Sequence, residues 1–158
     1  MPIPTTILIL PDIRSAQNVG SLFRTADACG IEMIYIVGIT PAPTDQFGRA
    51  NSAIAKTALG AEKTIPWQKI ATLASLISKL QKNGVQTIAI EQAENSVDYK
   101  KVKVQLPAAF IMGNEVDGLP KNILKKIDVV AEIPMKGAKE SLNVSVAGGI
   151  ALFRMLGI

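Results

Sequence analysis

The sequence contains no histidine, a single cysteine and few aromatic residues, and each shortage removes a class of chemistry. Without histidine there is no Ser-His-Asp triad and little to hold a zinc ion, so no metal is expected. One thiol, Cys29, cannot form an internal disulfide, and nothing points to an oxidising compartment. Aromatic residues make up 4% of the chain, too few for a broad base-stacking platform. Charged residues are also sparse at 19% against 48% hydrophobic, a balance that excludes disorder. No uninterrupted apolar run approaches the roughly 20 residues of a membrane span. The opening Met1-Pro2-Ile3-Pro4 lacks the charged start and apolar stretch of a signal peptide. No membrane partner is therefore expected, and the cytoplasm is the default location. Neither G-x-G-x-x-G nor a Gly-Lys-Ser/Thr run occurs, which argues against a classical dinucleotide fold or a phosphate-cradling loop.

What is present reads as one domain over residues 1–158, with a core of good size. The net charge of +4 suits a polyanionic partner. Near-continuous apolar runs at Ile7 to Leu10, Met33 to Val37, Thr87 to Ile90, Ala108 to Met112 and Val129 to Ile133 predict strands buried on both faces, hence a mostly parallel sheet. Helices are expected over Asn18 to Cys29, Ile70 to Asn83 and Pro120 to Lys126, giving an α/β layered fold with helices flanking the sheet. Pro41, Pro43 and Gly48 mark Ile39 to Arg49 as a surface loop.

Two helices carry unusual patterns. In the first, Val19, Leu22, Phe23 and Ala26 form the sheet-facing stripe, and Arg24 lies off it. Gly20, one turn earlier, leaves room for something bulky to approach Arg24. A surface pair between Arg24 and Asp27 at i+3 is the plain alternative. The last helix, Asn143 to Leu156, is apolar nearly all round with Arg154 its only charge, so it should be buried on every side. Either the chain end is threaded into its own domain or a second subunit covers it.

Three segments each follow a predicted strand. They are Asn18-Val19-Gly20-Ser21-Leu22-Phe23-Arg24, then Gly113-Asn114-Glu115-Val116-Asp117-Gly118, then Ile133-Pro134-Met135 with Ser141-Leu142-Asn143-Val144-Ser145-Val146-Ala147. Ligands of open α/β sheets bind at that edge. In this order the segments resemble the three motifs of the SpoU (TrmH-like) RNA 2′-O-ribose methyltransferases of the SPOUT superfamily, and Lys56-Thr57-Ala58-Leu59-Gly60-Ala61 is similar to that family too. The resemblance runs from Ile7 to Leu156.

The resemblance implies a C-terminal trefoil knot, a homodimer packed through the last helix, and S-adenosylmethionine as cofactor without a metal. Gly113, Ile133, Met135 and Leu142 would line the cofactor pocket. Arg24 would act on the acceptor, as general base or as electrostatic stabiliser of the alkoxide, with Asn18, Glu115, Ser141 and Asn143 around it. The partner would be structured RNA, either transfer or ribosomal. Independently of the resemblance, Arg14, Arg49, Lys136 and Lys139 are placed to reach its phosphates, with solvated surface charge the plain alternative for each. No further substrate-binding domain is expected. Asn18-Val19-Gly20 departs from the Asn-Thr-Gly typical of the minimal wobble-position enzymes, which leaves the target nucleotide open. The rival reading is a non-catalytic RNA-binding module with a relict cofactor site.

Overall fold

The computed structural model describes residues 2–158; Met1, where the N-terminal reading begins, lies outside them. In chain order the elements are β1 (Thr6–Pro11), α1 (Ala16–Cys29), β2 (Met33–Val37), α2 (Ser52–Ala58), α3 (Ala61–Thr64), β3 (Trp67–Ile70), α4 (Leu73–Lys82), β4 (Gln86–Ile90), β5 (Val97–Asp98), β6 (Ala108–Met112), α5 (Lys121–Leu124), β7 (Val129–Glu132) and α6 (Val144–Met155). The sheet order is β3-β2-β1-β6-β4-β7-β5, and every pairing is parallel.

Alternation along the central strands sorts their side chains to two cores. Leu8, Leu10, Ile88, Ile90, Phe110 and Met112 face one core, shared with α1, α2 and α6. Ile7, Ile9, Ala89, Ala109 and Ile111 face the other, closed by Leu76, Ile77 and Leu80 of α4 and Ile123 of α5. All six residues of β1 and all five of β6 are buried, which is why those strands read as unbroken apolar runs. The runs at all five predicted positions are strands.

Two strands and two helices had no such signal. In β3, at the sheet edge, Gln68 and Lys69 are exposed, so it lacks an apolar run; β5 is two residues long. The short helices α2 and α3 follow the surface loop, and α2 packs against α1.

The space at Gly20 is filled by protein. A Cβ there would run into the Thr57 hydroxyl and the Ile54 carbonyl oxygen, and Thr57 Oγ1 donates to the Gln17 carbonyl at 2.9 Å. The glycine therefore lets α2 seat on α1 rather than admitting a ligand. The predicted stripe of Val19, Leu22, Phe23 and Ala26 is fully buried. No Arg24–Asp27 ion pair forms among the described residues; Asp27 instead accepts from Thr64 Oγ1 at 3.2 Å.

Within one chain α6 is not buried all round. Val144, Gly148, Ala151, Leu152 and Met155 face the core, but Val146 is 49% and Ile150 38% exposed. Gly148 closes the inner face: a Cβ there would lie 2.6 Å from Leu22 Cδ2. No helix among the described residues is long and apolar enough to cross a membrane.

Candidate functional site

The C-terminal ends of β1, β6, β4 and β7 converge on one edge of the sheet, and side chains from three distant segments lock together there. Glu115, in the loop after β6, accepts from the Arg14 amide at 3.0 Å, the Ser15 amide at 3.3 Å and Asn18 Nδ2 at 3.4 Å. These donors sit at the N-terminus of α1, where free N–H groups and the helix dipole favour a carboxylate. Asn143 joins from the third segment by donating its Nδ2 to Asn18 Oδ1 at 3.2 Å. The same side chain caps α6, its Oδ1 accepting from the Ser145 and Val146 amides at 2.9 and 3.3 Å. Asn114 donates to the Asp12 carbonyl and accepts from the Val116 and Asp117 amides, which fixes the turn between them. Asp12 itself is a non-glycine residue at φ 51°.

Beside this junction is a small cleft, partly open to solvent. Gly113, Ile133, Met135 and Leu142, the four residues predicted to line a pocket, line it together with Glu115 and Ser141. Ser141 is therefore at the cleft, and Asn143, not Ser141, caps α6. Ile90, Met112, Val144 and Ala147 add apolar wall, and Glu91 and Gln92 add polar groups. Sequence reasoning missed Glu91 and Gln92; the available signal was an acid directly after the apolar strand Ile88-Ala89-Ile90. The lining holds two carboxylates and no basic side chain, although the chain carries net charge +4. Such a lining suits a ligand with a flat apolar part and positive charge. Among the described residues no three of His, Cys, Asp or Glu cluster as metal ligands would.

Arg24 is not part of this constellation within one chain. It is exposed and lies with Asp27, Leu59, Gly60 and Thr64 around a separate shallow depression at the α2–α3 turn. Six helical residues beyond Asn18, it is displaced by about 9 Å along the α1 axis. Of the four predicted phosphate contacts, Arg14, Lys136 and Lys139 are exposed, and none of these three forms an ion pair among the described residues. Arg49 is engaged: its Nε donates to Asp45 Oδ2 at 2.7 Å, and its guanidinium lies 5.1 Å above the Phe47 ring. Cys29, at the far end of α1, is buried, and burial pushes its thiol up to about 11.

Comparison with known proteins agrees with the geometry. A family model described as the SpoU rRNA Methylase family matches residues 5–153. The 23S rRNA (guanosine-2'-O-)-methyltransferase RlmB of Ralstonia nicotianae is 35% identical over 151 residues, covering 95% of this chain and 57% of that protein. An AdoMet-bound rRNA methyltransferase from Sinorhizobium meliloti superposes with a TM-score of 0.86 at 33% identity, covering 98% of this chain and 57% of that one. A structure described as giving insights into 2-OH methylation of C/U34 on tRNA shares the fold, with a TM-score of 0.78 at 21% identity, and is covered over 99% of its own length. The chain thus spans little more than half the length of the curated relatives it matches.

Proposed function

Because the chain belongs to the SpoU rRNA methylase family, we propose that it transfers a methyl group from S-adenosylmethionine to a ribose 2′-hydroxyl of structured RNA, without a metal. The observation that carries this reading is the Asn18–Glu115–Asn143 junction, which ties the three motifs together at the rim of the cleft. The 158 residues are read as one methyltransferase domain.

The residues fit the cofactor. Ile133, Leu142, Met135 and Ala147 offer apolar surface to an adenine ring, Gly113 removes a side chain from the wall, and two carboxylates accompany a net cation. When bound, S-adenosylmethionine supplies an electrophilic methyl group on a sulfonium. The chain's part is positioning and electrostatics. Asn18 and Asn143, held by Glu115 and by each other, fix the rim against which the acceptor nucleotide rests. Arg24 holds the acceptor phosphate and stabilises the developing alkoxide, a role that suits the planar donor fork of a guanidinium. The acceptor then reaches from a cleft to an Arg24 on the same chain or on a second copy.

A homodimer and a C-terminal trefoil knot complete the reading. The exposed apolar stripe of Val146 and Ile150, with Phe153 half-buried below it, supports a partner on α6. In this reading the threaded segment is α6, which packs closely on Leu22 and Met112 behind the cleft. The RNA is ribosomal or transfer RNA, contacted by Arg14, Lys136 and Lys139 beside the cleft, with Arg49 on the loop after β2.

Incubation with methyl-labelled cofactor and total RNA, followed by nucleoside analysis, tests the proposal. A labelled 2′-O-methylnucleoside is expected. Cofactor binding without labelled product in any RNA would favour a non-catalytic RNA-binding module with a relict site.

A further inference from the structure

Two carboxylates line the cleft, and they are differently engaged. Glu115 is occupied by three N–H donors at the N-terminal end of α1. Glu91, at the end of β4, takes one N–H on each oxygen: Oε2 accepts from the Leu119 amide at 2.9 Å, Oε1 from the Gln92 amide at 3.1 Å. A carboxylate has about four acceptor positions, so each oxygen keeps one.

The protein has made room for this group twice. A Cβ on Gly113 or on Gly118 would collide with Glu91 Oε2, and Gly118 is at φ 67°, where a side chain would be strained as well. The two glycines are the two ends of the loop that carries Asn114 and Glu115. The carboxylate is therefore seated against backbone, pinned by two amides and half-buried in the cleft wall. A group fixed so firmly cannot follow a flexible cationic tail, but its two oxygens are held at a constant spacing in the cleft wall. A rigid vicinal diol matches that arrangement. An acidic side chain at the carboxyl edge of a parallel sheet takes ribose hydroxyls in other nucleotide-binding folds.

We propose that Glu91 receives the ribose 2′- and 3′-hydroxyls of the adenosyl cofactor. This rests on the methyltransferase reading, and the test separates the two. Calorimetric dissociation constants are measured for S-adenosylmethionine, S-adenosylhomocysteine and the 2′,3′-dideoxyribose analogue of the latter, on the wild-type chain and on Glu91→Gln and Glu91→Ala. The wild type should bind the dideoxy analogue roughly 10- to 100-fold more weakly, the range for hydrogen bonds to an ionised acceptor. Glu91→Ala should weaken S-adenosylhomocysteine by a similar factor and the dideoxy analogue hardly at all. Glu91→Gln, which keeps one acceptor oxygen and the side-chain volume, should fall between. Equal wild-type affinity for the two ligands overturns the assignment without recourse to any variant. An equal loss on both ligands in the variants overturns it in favour of mere loop support. A larger loss on S-adenosylmethionine than on S-adenosylhomocysteine overturns it in favour of a sulfonium contact. Failure of the wild type to bind either natural ligand defeats the methyltransferase reading itself.

Discussion

The carboxylate of Glu115 meets the side-chain amide of Asn18 at 3.4 Å across 97 residues of sequence. With the Arg14 and Ser15 amides on the same carboxylate, the contact fastens the loop after β6 to the first turn of α1. Glu115→Ala leaves those donors to water. Because the site is exposed, the stability loss should be no more than about 1 kcal/mol. Methylation should suffer far more, since the rim of the cleft is no longer fixed. Urea unfolding and single-turnover methylation on one protein preparation check both. Matching small losses would mean that the clasp serves folding alone.

Arg24 lies outside the cleft, so removing it should separate binding from turnover. Arg24→Ala is expected to keep cofactor affinity and to lose on the order of 10²–10³ in methylation rate. Arg24→Lys should restore little, because an ammonium cannot reproduce the planar fork. Single-turnover rates beside calorimetric dissociation constants decide the matter, and near-normal turnover in Arg24→Ala would remove Arg24 from the chemistry.

Sedimentation equilibrium should give twice the 16.8 kDa chain mass. Ile150→Glu places a charge in the exposed stripe of α6 and should shift the equilibrium towards single chains. It is solvent-accessible in one chain, so circular dichroism should stay unchanged. A single-chain mass in the wild type would refute the dimer.

Gly20→Ala tests the α1–α2 contact. The new methyl group meets the Ile54 carbonyl oxygen, which belongs to backbone and cannot swing away. Overpacking of this kind costs about 1–3 kcal/mol, more than the helix propensity that alanine would add. A lowered thermal midpoint is expected; a raised one would mean that α2 sits less tightly on α1.

Cys29 gives a pH dependence of definite sign. The folded thiol holds its proton to about pH 11, whereas its ordinary value is 9.0. Between those values the unfolded chain binds fewer protons than the folded one, so stability falls as pH rises. Below pH 9 this contribution is fully present. Cys29→Ala should show a shallower decline from pH 9 to 11 in denaturant titrations. Maleimide labelling of the folded wild type at neutral pH should be slow.

The sheet was legible wherever both strand faces are buried, as in β1 and β6, because burial leaves a continuous apolar run. Trp67–Ile70 escaped notice because an edge strand may carry Gln68 and Lys69 outward. The pocket residues were legible only as motifs, since Gly113, Ile133 and Leu142 have no titrating chemistry of their own. Gly20 was misread because a missing side chain looks the same whether a ligand or a helix fills the gap. Glu91 left almost no trace, as its role arises from glycines 22 and 27 positions further on. Arg24 is separated from Glu115 because Glu115 docks at Asn18, six residues earlier on α1, and periodicity within α1 cannot report where the loop after β6 docks.

The insertion of β6 between β1 and β4 dictates when the molecule can exist. Residues 108–111 pair with residues 6–9 on one side, and residues 108–112 with 86–90 on the other. A nascent chain that ends before Ala108 holds two buried-type strands, each with a bare edge of unpaired amides and carbonyls. The centre of the sheet therefore closes late in synthesis, through partners about a hundred residues apart. Such long-range closure makes for slow folding and a period of exposure to aggregation. Truncations upstream of Ala108 are thus expected to yield insoluble material instead of a smaller stable domain.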